Sequence, residues 1–170
     1  DSIKIRNNNI IYGELSGDKH TTGYINLNDI NGSITKFSTF SERKKAFGTF
    51  EANFNARIND AADMTIELSI PYDKDAFKLH TTVGLMDMTA FSKSLVPLLG
   101  VEINEGTLKH LEFYMNANFY QSQSSLVMDY ENLHLTVFKE ADNGAQHKKG
   151  FISSIANAAI RHQNLPEEKG

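Results

Sequence analysis

Residues 50–58 read Phe-Glu-Ala-Asn-Phe-Asn-Ala-Arg-Ile, and their strict alternation decides the fold class. Phe50, Ala52, Phe54, Ala56 and Ile58 fall on one side; Glu51, Asn53, Asn55 and Arg57 fall on the other. A β-strand turns successive side chains to opposite faces, so this segment is a strand with one apolar and one wet face. The same period runs onward. Met64, Ile66, Leu68, Ile70 and Tyr72 alternate with Thr65, Glu67 and Ser69. Phe77, Leu79, Thr81, Val83 and Leu85 alternate with Lys78, His80 and Thr82. Leu111, Phe113, Met115, Ala117 and Phe119 alternate with Glu112, Asn116 and Asn118.

Polar breaks separate these runs at 59–63, at 73–75 after Pro71, and at 121–125. Asn, Asp, Ser and Gly at such places read as hairpin turns. Asn31-Gly32 either turns the chain or sits within a longer strand. Asn31-Gly32-Ser33 is also a glycosylation sequon, short enough to arise by chance. The apolar parity changes once in the last long run. Leu126, Met128 and Tyr130 share one face, whereas Leu133, Leu135 and Val137 share the other. One residue must be absorbed there, which predicts a bulge or bend near Asn132. The strand pairs 50–72 and 115–130 echo each other weakly, through Phe-Glu-Ala-Asn-Phe and Met-Asn-Ala-Asn-Phe. Monotonous β patterning accounts for that at least as well as duplication.

Two segments carry a helical period instead. Met88, Phe91, Leu95 and Leu98 recur at steps of three and four, predicting a short helix over 88–99. Asp87 or Thr89 stands near its start, and Pro97 and Gly100 limit its length. Phe151, Ile152, Ile155, Ala158 and Ala159 predict a second helix over 150–162. The polar tail 163–170 is expected to fray. The expected architecture is therefore mainly β: a curved antiparallel sheet or partial barrel with two short helices. Residues 1–170 form one β-rich domain. Its abrupt start within an alternating pattern is what is expected of a cut piece or a processed product, a fragment of a larger protein.

The 170 residues carry a net charge of −4, with small basic clusters only at Arg43-Lys44-Lys45 and Lys148-Lys149. Nucleic-acid binding needs a broad basic face, so no nucleic-acid partner is expected. The absence of cysteine excludes disulfides, thiolate zinc sites and cysteine nucleophiles. No apolar run reaches the roughly 20 residues that span a bilayer. Six histidines are dispersed, with no local metal motif, so no metal and no cofactor are expected. His80 and His110 lie on wet strand faces and His134 stands out of phase with Leu133 and Leu135, which reads as solvated histidine. No serine elbow or phosphate loop is present. Glu112 and Asp129 face each other only as polar neighbours across a hairpin, so no enzyme activity is expected. Their clustering with a histidine in a concavity would revive a hydrolase.

The apolar strand face is the more informative feature. Phe50, Phe54, Leu68, Phe77, Leu79, Phe113, Met115 and Met128 are large and lie on one side of their strands. They form either an ordinary core or the lining of a groove that holds acyl chains. Two short helices are few to cover so many strands.

The stretch Leu98-Leu99-Gly100-Val101-Glu102-Ile103-Asn104-Glu105-Gly106-Thr107-Leu108-Lys109-His110-Leu111-Glu112-Phe113 carries a family resemblance. It continues through Ala117-Asn118, Leu126-Val127-Met128-Asp129-Tyr130 and Asn132-Leu133-His134-Leu135, then Lys148-Lys149-Gly150-Phe151, Ala156-Asn157 and Gln163-Asn164-Leu165-Pro166. Together these pieces resemble the carboxy-terminal region of AsmA-like envelope proteins of the Bacteroidetes type, best over 86–166. The first half matches only in style, through strands such as Gly32-Ser33-Ile34. The resemblance implies a periplasmic β region with an apolar concave face, in a full-length protein anchored in the inner membrane. It also implies lipid transport and outer-membrane biogenesis, with a phospholipid or other acyl-chain ligand and envelope protein partners. It supplies no catalytic residues. The rival expectation is a structural or protein-binding β module whose apolar face is a closed core.

Overall fold

The computed structural model of the chain describes residues 2–16, 21–140 and 146–148. Strands β1 (Ser2–Leu15) and β2 (Thr22–Thr35) lead to helix α1 (Ser41–Phe47). Strands β3 (Thr49–Ile58), β4 (Ala62–Pro71) and β5 (Ala76–Val83) follow, then the two-residue β6 (Met86–Asp87). A 3-10 turn (Met88–Phe91) enters helix α2 (Ser92–Leu99), and β7 (Val101–Asn118), β8 (Ser122–Glu140) and β9 (Gln146–Lys148) complete the order. The fold is mainly β with two short helices, as the alternation predicts. Strands pair in the order β1-β2-β3-β4-β5-β7-β8-β9, with β6 added beside β7.

The chain packs as two compact units. The first takes in Asp1–Ile10, Leu27–Gly84 and His110–Val127. Its centre is an antiparallel ladder whose register carries the apolar face intact from strand to strand. Ala52 faces Leu68, Leu68 faces Leu79, and Leu79 faces Met115. One step along, Phe54 faces Ile66, Ile66 faces Thr81, and Thr81 faces Phe113. Had one strand slipped by one residue, its whole apolar set would have moved to the wet side. The buried positions are mostly small ones, Ala52, Ala56, Ala62 and Val83, with Ile58 and Thr81. The β3–β4 hairpin closes over Asn59 and Asp60, both left-handed at φ 49° and 56°. Asn and Asp tolerate that conformation, so the loop is shorter than the polar run suggests.

Asn31-Gly32 sits inside β2 and does not turn the chain. The pairing of β2 with β3 is irregular between Asn28 and Asn31, where Asp29 has φ 52°. Side chains brace this bulge. The Asp29 backbone N–H donates to Asn9 Oδ1 at 3.0 Å, and the Asn31 amide donates to the Asp29 carbonyl at 2.7 Å.

Helix α1 is a correction to the sequence reading, which placed no helix there. Its Ser-Glu-Arg-Lys-Lys-Ala-Phe run buries no residue, so it has no apolar stripe to detect. Weaker end signals were present: Glu42 in the first turn, Lys44 and Lys45 in the last, and Gly48 at the C-cap. The second expected helix, over 150–162, and the tail 163–170 lie outside the described residues.

The second unit takes in Ile11–Asn26, Leu85–Lys109 and Met128–Gly170. The helix expected over 88–99 is here, split into the 3-10 turn and α2. Asp87, not Thr89, caps it: its carboxylate accepts from the Thr89 N–H at 2.9 Å. Gly100, at φ 68° and ψ 31°, ends it with a left-handed cap, whereas Pro97 lies within the last turn. Serines fasten α2 to strands. Ser92 Oγ accepts from the Ile103 N–H at 2.8 Å and donates to the Ile103 carbonyl at 3.0 Å. Ser94 Oγ donates to the Tyr24 carbonyl. Gly23 lets the helix approach β2, since a Cβ there would meet the Ser94 carbonyl at 2.6 Å. The core of this unit is Met86, Met88, Ile103, Leu108, Tyr130 and Leu133. Asn132 has φ 54° and is exposed between buried Tyr130 and Leu133, which places the expected irregularity of β8 where the parity changes.

Candidate functional site

In the first unit the ladder separates two faces of opposite chemistry. On the apolar side stand Phe50, Phe54, Leu68, Phe77, Leu79, Phe113 and Met115, brought together as the alternation predicts. None of the seven is fully buried and none is fully exposed. The small residues between them are sealed while the large ones keep contact with water. Phe50 packs edge-on to Phe37 at 5.7 Å and tilted against Tyr72 at 5.5 Å. The Tyr72 hydroxyl accepts from the Ser38 N–H at 2.7 Å and donates to the Lys36 carbonyl at 2.9 Å, fixing that end of the face. Met128, the eighth residue expected on this face, belongs to the second unit and is also half-buried.

The wet side holds a constellation that the sequence reading missed. Asn53 faces Glu67, Glu67 faces His80, and His80 faces Tyr114 across four neighbouring strands. His80 Nδ1 lies 3.1 Å from Glu67 Oε2, and Nε2 lies 2.9 Å from Glu112 Oε1. Its ring stacks flat on Tyr114, with centroids 4.1 Å apart and planes 1° from parallel. The Tyr114 hydroxyl donates to the same Glu112 oxygen at 2.6 Å. Neutral imidazole has one N–H and can donate to only one carboxylate, so donation to both calls for the doubly protonated form, which the raised pKa favours. His80 is thus no solvated histidine: its side chain retains 26% of its accessible surface and both nitrogens are engaged. Spacing of two along β7 puts Glu112 and Tyr114 on one face, and pairing with β5 puts His80 opposite Tyr114, within reach of Glu112. No local motif carries that information, because the partners come from three strands.

The hydrogen bond to Glu67 raises the His80 pKa above its ordinary 6.5; Glu112 adds to this and partial burial opposes it. The hydrogen bond from Tyr114, then that from His80, lowers the Glu112 pKa below 4.5. A raised histidine pKa stabilises the fold fully below 6.5, and that contribution is lost as pH rises through the folded value. A lowered glutamate pKa stabilises it fully above 4.5, and that contribution is lost as pH falls through the folded value. The cluster therefore contributes most between these two pH values. The Tm difference between the parent chain and His80→Gln is expected to be largest there and to shrink above it. Differential scanning fluorimetry across pH measures this, and a pH-independent difference would contradict the charged clamp.

Over this cluster lies a concavity of about 380 Å³, lined on the polar side by Glu51, Asn53, Glu67, Lys78, His80 and Tyr114. Leu68, Leu79 and Met115, whose side chains alternate to the other face, border it as well. The other candidates do not line this concavity. Asp129, expected to neighbour Glu112 across a hairpin, is half-buried on β8. His134 lies 3.6 Å from Glu105 Oε2 in the second unit, and His110 is exposed. Among the described residues no group of three histidine or acidic side chains has a metal-holding arrangement. Glu67 and Glu112 bracket the imidazole from opposite sides, so they do not converge on one point. No helix among the described residues is long and apolar enough to cross a membrane. Comparison with known proteins finds no matching family model, no matching curated protein and no matching solved structure.

Proposed function

We propose that this chain is a non-enzymatic, lipid-handling segment of an AsmA-like protein of the bacterial envelope, working in the periplasm in lipid transport or outer-membrane biogenesis. One observation carries the reading. Seven large apolar side chains stand in register on one face of the first unit, and every one is only half-buried. In an ordinary sealed core such residues would be the first to lose contact with water. Covering a face of this kind with an acyl chain contributes roughly 0.8 kcal/mol per methylene. Such a face needs no unique polar contact, so a chain bound on it can slide. Within this unit helix α1 buries no residue of its own, and its Lys44 ammonium lies 5.5 Å from the centre of the Tyr72 ring at one end of the face.

The test is uptake of cis-parinaric acid, whose fluorescence rises in apolar surroundings, with mass spectrometry of lipid extracted from the purified chain. Binding is expected, together with a co-purifying phospholipid. Leu79→Asp and Met115→Asp are each expected to weaken uptake roughly tenfold, the equivalent of about 1.4 kcal/mol. An unchanged probe spectrum and a lipid-free extract would sink the proposal.

The rival reading, a protein-binding β module, draws on β1. That strand ends the sheet order and is exposed along nearly its whole length, with Ile10, Ile11, Tyr12 and Leu15 in water. Open strand edges pair with partner strands.

A further inference from the structure

We propose that the polar face of β3, β4, β5 and β7 in the first unit is a binding site for a neutral polyhydroxylated ligand, a mono- or disaccharide, seated against the Tyr114 ring. This lies on the opposite side of the ladder from the apolar face and does not depend on the lipid reading.

Four features carry it. The first is shape: the concavity of about 380 Å³ falls within the range of small-molecule sites, and four strands spaced about 4.8 Å apart give it a length of about 14 Å. The second is preorganisation. An aromatic side chain on a solvated sheet face is ordinarily free to change rotamer. Tyr114 is 43% exposed, yet it is held flat by His80 and tethered through its hydroxyl to Glu112. The entropy of fixing a stacking platform is therefore already spent before any ligand arrives.

The third feature is charge balance. Glu51 is paired with Lys36 at 3.0 Å, Glu67 and Glu112 flank the His80 ring, and Lys78 adds a positive charge to the lining. An anion or a cation gains little net attraction in such a site and still loses hydration. A neutral polyol exchanges hydrogen bonds with water for hydrogen bonds with protein and loses no charge hydration. The fourth feature is unused capacity. The Asn53 and Asn116 amides and the Lys78 ammonium line the concavity and make no hydrogen bond or ion pair with another described residue. The amides both donate and accept, which suits hydroxyls that do both. The site thus offers an apolar ring face bordered by amphoteric polar groups, matching the apolar C–H face and hydroxyl rim of a pyranose.

Two-dimensional amide NMR of the whole chain tests the idea. The probes are maltose, cellobiose, lactose and N,N′-diacetylchitobiose in solution, with galactosylceramide in phosphatidylcholine vesicles as a separate arm. Concentration-dependent shifts at Asn53, Lys78, His80 and Tyr114 are expected with at least one probe. A response to the vesicles alone would assign the sugar to a lipid headgroup, and a response to the disaccharides would assign it to a soluble glycan. Tyr114→Ala is expected to weaken binding roughly tenfold or more, whereas Tyr114→Phe keeps the ring and loses less. Lys78→Ala, at an exposed position, is a second variant with no folding role. Tyr120→Ala, 90% exposed outside this face, is expected to change nothing. The proposal fails if no probe in either arm shifts these amides, or if the shifts persist unchanged in both Tyr114→Ala and Lys78→Ala.

Discussion

Gly32→Ala is expected to destabilise the first unit by about 3 kcal/mol or more, at the upper end of what overpacking costs. The reason is space, not backbone conformation. A Cβ built at Gly32 would lie 2.0 Å from the Asn53 carbonyl oxygen and 2.8 Å from the Phe54 Cα. Those atoms are main chain of the neighbouring strand, so no side-chain rotation relieves the overlap. Gly32 pairs with Phe54 just past the braced bulge at Asp29. Adding a methyl must push the strands apart and disturb the register that assembles the apolar face. Urea denaturation followed by circular dichroism measures the loss, and hydrogen exchange should localise it to β2 and β3. Gly48→Ala is the control. Gly48 has φ 68°, and a Cβ at that position would have nothing within 4 Å, so alanine there meets only the left-handed penalty of about 1–2 kcal/mol. If Gly32→Ala proves no worse than Gly48→Ala, the close approach of the two strands is wrong.

Leu108→Ala is expected to cost about 2–5 kcal/mol, a large share of the stability of a domain of this size. Leu108 is 1% exposed and is the one large side chain among the described residues that is fully enclosed. It faces Met86 across the β6–β7 pair, in the unit whose buried residues include Met88, Ile103 and Leu133. Gly106 nearby leaves room for Leu133 Cδ1 and Met88 Sδ, at 3.0 and 3.4 Å from a would-be Cβ, so the site is already tight. A cavity there has little means of collapsing. A fall in Tm on the order of 10 °C is expected. Leu108→Met, which roughly conserves volume, should cost less than about 1.5 kcal/mol. Equal behaviour of the two variants would show that the second unit tolerates a void at its centre.

These two positions illustrate how unevenly the fold is legible. The strands around Phe54, Leu68 and Leu79 follow from period-two alternation, and the register then places them as expected. Asn132 was legible for a related reason, since a change of parity demands an extra residue. Helix α1 escaped because it buries nothing, so no periodicity marks it. Leu108 escaped because Ile103 and Leu108 have opposite parity and a single alternating template cannot hold both. Of the candidate site residues, the apolar set could be grouped from the sequence because each member obeys the period of its own strand. The His80 cluster could not. Glu67, His80, Glu112 and Tyr114 are separated by up to 47 positions, and only pairing in register sets both nitrogens of one ring against two carboxylates.

The order of side chains along the chain determined by itself that this protein is β-rich and that its strands carry one apolar and one polar face, because alternation is a local property of extended backbone. It also marked the irregularity of β8 near Asn132, because a change of apolar parity demands an extra residue and Asn takes the left-handed conformation more readily than most residues. Tertiary structure decided which residues from different strands meet. Pairing partners are chosen by the energy of whole faces brought together, which no single segment contains. That choice alone turned a histidine among polar neighbours into one clamped between two carboxylates and stacked on an exposed tyrosine ring.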